Sequence, residues 1–223
     1  DGVLEKLYTL EPDYISCTYG AGGTNVGKNL EVLDKIQKDG KTIPVTHFTC
    51  IGNTKEDIKE KLQTYLDHGI DHMLALRGDL PKEGEPCHDF AYAAELIDFI
   101  HQQGDFCVGA ACYPEGHPES GSRAKDMDYL RRKVDAGVDF LTTQMFFDNS
   151  KYFDFVERCR KAGITVPIIP GIKPISTPKH LEILPRTFSV SLPEELVKAV
   201  RACGEDTQAA REGGVEGASH QAK

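Results

Sequence analysis

Five glycines divide this chain into units of one kind. Gly40, Gly69, Gly104, Gly137 and Gly163 each follow an amphipathic stretch, and the intervals between them are 29, 35, 33 and 26 residues, the length of one strand, one loop and one helix. Each glycine stands where a helix ends in a left-handed residue. Short apolar runs rich in β-branched residues mark the strands: Tyr14–Tyr19, Ile43–Cys50, His72–Arg77, Cys107–Tyr113, Phe140–Phe147 and Val166–Ile172. Their nearly continuous hydrophobicity predicts parallel strands buried on both faces. Helical segments of about 12 to 15 residues lie between them by the same periodicity test, and Thr54 with Asp57 has the spacing of a capping box. Such a pattern predicts an α/β chain with parallel strands. Gly20-Ala-Gly-Gly23 has the wrong spacing for a dinucleotide-binding fingerprint, so a (β/α)₈ TIM-type barrel, with its site at the strand C-termini, is the better expectation.

Composition narrows the function classes. With 26 Lys plus Arg against 35 Asp plus Glu, the net charge of −9 gives no general surface for nucleic acid, whose binding requires clustered cations. Any anionic ligand must therefore meet local basic residues. No apolar run approaches the roughly 18 residues of a membrane span, and the first 30 residues have no signal-peptide pattern. The seven cysteines are odd in number and widely spaced, which predicts reduced cytoplasmic thiols rather than a disulfide framework or a metal site.

The predicted strand ends carry polar residues that barrel packing does not require. Singly, each has a plain structural reading. Arg77 and Asp79 read as a local ion pair, His47 equally as a core histidine or a ligand contact, and Phe146 and Phe147 as core. The charges of the helix Arg123–Lys133 read as a solvated face. Gln144, in an apolar strand, is more informative, because a buried amide needs several hydrogen-bond partners.

In order along the chain stand Thr18-Tyr-Gly-Ala21, His47-Phe-Thr-Cys50, Ala75-Leu-Arg-Gly-Asp-Leu-Pro81, Tyr113-Pro-Glu-Gly-His-Pro-Glu119, Arg132-Lys-Val-Asp-Ala-Gly137, Thr143-Gln-Met-Phe-Phe-Asp148 and Pro170-Gly-Ile-Lys-Pro-Ile175. This ordered set resembles the 5,10-methylenetetrahydrofolate reductase family from about Tyr14 to Ile175. The resemblance implies a barrel flavoprotein that binds FAD noncovalently through Thr18, Tyr19, Ala21, His47, Arg77, Gly78, Asp79, Ala93, Tyr113, His117, Glu119, Asp126, Arg132 and Lys133. Arg132 and Lys133 suit a pyrophosphate, Tyr113 and His117 suit a planar ring system, and Gly78 suits close approach of the backbone.

It also implies the reaction and its partners: NADH or NADPH reduces the flavin, and methylenetetrahydrofolate then accepts hydride to become 5-methyltetrahydrofolate. Asp79 is the implied catalytic residue, placed to stabilise the cationic iminium of the opening methylene bridge. Asp79 and Gln144 are the implied substrate contacts. A homo-oligomer in the cytoplasm, with no metal, nucleic-acid or membrane partner, completes the expectation.

Two features qualify it. The family's general-acid glutamate stands on its first strand in a Phe-Glu-Phe-Phe-Pro-Pro type motif, which is absent from these 223 residues. A complete barrel takes about 250 residues. The six strands are thus expected to be the second through seventh, in a single catalytic domain of residues 1–223 truncated at both ends. The absent acid opens an alternative, a flavin- or pterin-binding barrel without reductase activity. A third reading is another barrel enzyme, such as a pterin-binding transferase, sharing only the fold. The tail Val215–Lys223 resembles the helix before an eighth strand, and Gly213, Gly214 and Gly217 predict that it frays.

Overall fold

In the computed structural model of the protein, the described residues are 2–18, 26–78, 89–204 and 206–223. They form two compact units. One comprises residues 1–110 with 132–139, and the other residues 111–131 with 140–223.

The first unit begins with α1 (Gly2–Tyr8) and continues through β1 (Tyr14–Cys17), α2 (Val26–Asp39), β2 (Ile43–Thr49), α3 (Lys55–Asp67), β3 (His72–Leu76) and α4 (Ala93–Gln103) to the start of β4 (Cys107–Cys112). The pairings β1–β2, β2–β3 and β3–β4 are all parallel, as short helical crossovers require. The α/β class and the parallel strands read from the sequence are therefore present. The capping box of α3 is present too: the Thr54 hydroxyl accepts from the Asp57 N–H at 3.1 Å and the Asp57 carboxylate accepts from the Thr54 N–H at 2.8 Å.

Burial on both strand faces is present in part: Pro44, Val45 and Thr46 of β2 and Val108, Gly109 and Ala110 of β4 are consecutive buried residues. Thr46, Phe48, Met73 and Ala75 are buried, whereas His47, Thr49, Leu74 and Leu76, which alternate with them, are only half-buried. The buried set faces the helices, where Leu33, Ile36, Ile58, Leu62, Leu96, Ile97 and Ile100 complete the core. Alternate residues point to the opposite face, where Val45 and Gly109 are buried as well.

Gly40, Gly69, Gly137 and Gly163 have the expected positive φ. Gly104 does not: its φ of 171° is extended. A side chain there would crowd Phe106 and Leu66, at 3.2 and 3.3 Å from a Cβ, so space explains this glycine.

The second unit holds the end of β4, a 3-10 turn at Pro118–Ser120, most of α5 (Arg123–Asp135), β5 (Phe140–Thr143), α6 (Asn149–Lys161), β6 (Ile168–Ile169), α7 (His180–Phe188), α8 (Glu194–Ala202) and α9 (Thr207–Gln221). β5 and β6 pair in parallel. Both are shorter than predicted. Pro167 and Pro170 bracket β6 and supply no N–H to a ladder, and Asp148, a few residues beyond β5, caps α6. Ile175, Leu184, Val190, Val200 and Ala210 form the core of this unit.

The predicted fraying of the tail is also corrected. α9 runs unbroken through Gly213, Gly214 and Gly217. The Asp206 carboxylate caps its start by accepting from the Gln208 and Ala209 N–H groups at 3.0 Å. At its end the Gln221 amide donates to the Phe146 carbonyl at 2.7 Å. No described helix is long and apolar enough to cross a membrane, and the six described cysteines are free thiols.

Candidate active site

In the first unit the strand register gathers several of the expected site residues. Cys17 is level with Thr46, so Thr18 follows β1 at the height of His47. Thr18 is exposed and His47 half-buried. Burial holds the His47 imidazole below its ordinary pKa of 6.5, which favours the neutral ring at pH 7. Further along, the pairing of β2 and β3 continues past both strands: the Cys50 N–H donates to the Leu76 carbonyl at 3.2 Å and the Ile51 N–H to the Arg77 carbonyl at 2.9 Å.

Arg77 is half-buried and its Nε donates to the Gly78 carbonyl at 3.2 Å. Gly78 has φ +90°, and a Cβ built on it would lie 2.5 Å from the Ile51 side chain, so this glycine is required by the backbone whether or not a ligand approaches. Ala93 is the first residue of α4, and the Glu95 carboxylate caps the preceding turn by accepting from the Ala91 N–H at 2.6 Å. Arg132 is exposed and Lys133 half-buried. Both stand in the last turn of α5, where cations offset the carbonyl end of the helix. Tyr19, Ala21 and Asp79 lie outside the described residues.

In the second unit the end of β4 brings Tyr113 and His117 together, ring centroids 4.5 Å apart and nearly perpendicular. His117 Nδ1 accepts from the Glu119 N–H at 3.1 Å, which leaves the ring proton on Nε2 in the neutral form. This histidine therefore shapes the 3-10 turn as well as the strand end. Glu119 follows in that turn and Asp126 in the first turn of α5. The Gln144 N–H donates to the Cys112 carbonyl at 2.7 Å, so Gln144 and Tyr113 occupy adjacent strand ends. Gln144 is half-buried rather than enclosed, and its side-chain oxygen accepts from the Met145 N–H at 2.9 Å.

The other carboxylates of the second unit's strand-end motifs are largely committed. Glu115 accepts from both the N–H and the hydroxyl of Ser191, at 3.0 and 2.6 Å. Asp148 caps α6, and its bonds to Ser150 hold its pKa below the ordinary carboxylate value. A cleft of about 530 Å³ opens beside Phe147, Asp148, Ser191, His220 and Gln221, and none of the expected site residues lines it.

Three contributions escaped the sequence reading. The Glu115–Ser191 pairing joins residues 76 apart. Gly171 is required because a Cβ there would overlap the Thr143 carbonyl oxygen, and its N–H donates to the Thr143 hydroxyl at 2.8 Å. Asn29 is buried in α2 and donates to the carbonyls of Cys17 and Thr18. A weak helix former in the first turn of α2 was the available signal for Asn29; pairing between distant loops leaves none.

The residues present fit a flavin dinucleotide chemically. An exposed hydroxyl, a neutral imidazole and a guanidinium stand at strand ends of one unit, and a paired tyrosine and histidine with an adjacent amide stand at those of the other.

Known proteins share this sequence pattern along its whole length. The family Methylenetetrahydrofolate reductase matches residues 2–223. The chain is 38% identical over 190 residues to 5,10-methylenetetrahydrofolate reductase of Pectobacterium carotovorum subsp. carotovorum, an alignment covering 85% of this chain and 63% of that protein. It is 35% identical over 206 residues to the Escherichia coli enzyme of that name, covering 92% and 69%. With methylenetetrahydrofolate reductase (NADH) 1 of Zea mays the identity is 34% over 227 residues, covering 95% and 38%. The chain thus spans under two thirds of the first of these relatives.

Among solved structures, an uncharacterized protein of Clostridium thermocellum that binds two copies of 5-methyl-5,6,7,8-tetrahydrofolic acid matches with a TM-score of 0.54 at 13% identity, covering 98% of this chain and 85% of that one. Phosphonopyruvate hydrolase in complex with oxalate and Mg²⁺ matches at 0.57 and 13%, covering 96% and 80%. At such identities these likenesses concern the fold alone.

Proposed function

The chain belongs to the methylenetetrahydrofolate reductase family, and on that premise we propose that it carries the flavin- and folate-binding part of an oxidoreductase of one-carbon metabolism. The reaction proposed is reduction of 5,10-methylenetetrahydrofolate to 5-methyltetrahydrofolate with NADH or NADPH as donor. The observation that carries this reading is the match of the family along residues 2–223. The proposal includes a barrel in which the six strands are the second through seventh of eight, in one catalytic domain.

FAD, when bound, supplies the redox chemistry, and the protein supplies orientation and electrostatics. Thr18, Tyr19, Ala21, His47, Arg77, Gly78, Asp79, Ala93, Tyr113, His117, Glu119, Asp126, Arg132 and Lys133 are the residues that would hold it. A neutral His47 binds without adding a positive charge. Arg77 offers a cation to a phosphate or to an electron-rich ring edge. Asp79 is assigned to substrate and catalysis, where a carboxylate favours a cationic folate. Gln144 presents an amide to the pterin, able to donate and to accept.

The test is spectroscopic. The purified protein is reconstituted with FAD, bleached with NADH or NADPH, and followed for recovery of absorbance on adding methylenetetrahydrofolate. The expected result is all three stages; failure to take up FAD refutes the reading. The commitment of Glu115 to Ser191 and of Asp148 to α6 favours a second reading, in which these 223 residues bind flavin or pterin without completing the folate half-reaction. Flavin uptake and reduction with no recovery by folate is its signature.

A further inference from the structure

Asn29 is a polar side chain buried to 5% exposure in the helix layer of the first unit, on the side of the sheet away from His47. Its Nδ2 donates to two successive carbonyls at the end of β1, those of Cys17 and Thr18, each at 3.2 Å. Its Oδ1 accepts from the Tyr65 hydroxyl at 2.9 Å and from the Thr46 hydroxyl at 3.2 Å. The amide orientation follows from the partners: the carbonyls can only accept, and the hydroxyls can donate.

The two halves of the amide do different work. On the Oδ1 side α2 is joined to α3 and β2, contacts internal to the packed layer. On the Nδ2 side the partners are backbone carbonyls where β1 gives out. The β1–β2 register ends at Cys17, yet the Thr18 carbonyl is still fixed, by a side chain rather than by a ladder. Both bonds are part-buried, and a helix residue reaching two carbonyls in succession sets both the position and the direction in which the chain leaves the strand.

We propose that Asn29 is a positioning residue for the ligand site: by holding the Cys17 and Thr18 carbonyls it fixes the end of β1 at the height of His47, so that Thr18 meets the flavin in one orientation. The inference rests on the flavin site proposed above, but the positioning itself is a property of the protein without ligand.

The experiment compares Asn29→Asp and Asn29→Ser with Tyr65→Phe in the full chain. Three quantities are read: thermal midpoint, hydrogen exchange of the peptide ending at Thr18 in flavin-free protein, and FAD affinity by fluorescence quenching. Asp keeps the shape and the Oδ1 side but loses the donor to both carbonyls. Asn29→Asp and Asn29→Ser are expected to speed exchange at the end of β1 and to weaken FAD binding about tenfold, the scale of one buried hydrogen bond. Tyr65→Phe is expected to lower the midpoint while leaving FAD affinity within about twofold of the unsubstituted protein, since the Nδ2 bonds remain.

Equal loss of FAD affinity in Tyr65→Phe and Asn29→Asp overturns the proposal, because general loosening would then explain both. So does unchanged exchange in Asn29→Asp and Asn29→Ser. If the unsubstituted protein takes up no FAD, the functional reading fails alone, and the exchange result decides the positioning role. Should Asn29→Asp fail to fold, Asn29→Ser and Tyr65→Phe carry the comparison.

Discussion

Gly214, in the middle of α9, lies directly on the backbone of Ile175: a Cβ built on it would overlap the Ile175 carbonyl oxygen. A residue that costs a helix about 1 kcal/mol relative to Ala therefore allows the last helix to reach the core of the second unit, to which Ile175 belongs.

That relationship separates two neighbouring glycines. Gly213 is exposed, and a Cβ added there would meet nothing within 4 Å, so Gly213→Ala should raise stability by up to about 1 kcal/mol through helix propensity. Gly214→Ala should lower it by about 1–3 kcal/mol through overpacking. Urea melts of the two variants check the opposite signs; a stabilised Gly214→Ala would contradict the packing of α9.

His47 predicts an acid sensitivity. Its folded-state pKa is depressed by burial, so the unfolded chain binds more protons once the pH drops below the ordinary 6.5. The associated stability is fully present above that value and is lost as the pH falls towards the lower folded-state pKa. His47→Gln should flatten the wild-type loss of thermal stability between neutral and mildly acidic buffer. An unchanged slope would place the sensitivity elsewhere.

Thiol reactivity follows burial. Cys50 and Cys159 are 1% and 0% exposed, and desolvation pushes both thiols up to about 11, leaving about one part in a thousand as thiolate at pH 8. Cys203 is half-buried. A disulfide-exchange reagent followed by peptide mapping should label Cys203 ahead of Cys50 and Cys159, which should react only after denaturation. Rapid native labelling of Cys159 would be inconsistent with its place on the buried side of α6.

Gln144→Glu tests the assigned folate contact. A carboxylate keeps an oxygen to accept from the Met145 N–H, as the amide does at 2.9 Å, so the loop and the thermal midpoint should persist. What disappears is the donor, and folate affinity should fall about tenfold. Unaltered affinity by equilibrium titration would remove Gln144 from the contact.

Much of this protein is legible in its sequence because the information is local. Apolar runs of four to eight residues, closing glycines and the Thr54–Asp57 box each act within one turn or one strand, and all six strands appear where the pattern put them. The errors lie at edges. β5 ends at Thr143 and not at Phe147, although the Gln144 N–H still donates to the Cys112 carbonyl. Gly104 is extended and not left-handed, and what favours glycine there is the nearness of the Phe106 and Leu66 side chains. The candidate site was legible as an ordered list of motifs, but Asn29 stood outside them, since its partners are 11 to 36 residues away.

By itself, then, the sequence determined the α/β class, the parallel strands and the family, through periodicity and ordered motifs that need no knowledge of distant contacts. Tertiary structure alone decided which face of each strand is covered, that Glu115 pairs with Ser191 and not with solvent, that α9 holds together through three glycines, and that Asn29 bonds the carbonyls at the end of β1. These outcomes depend on hydrogen bonds and close approaches between residues far apart in the chain, and their energies exist only once the helices have packed against the strands.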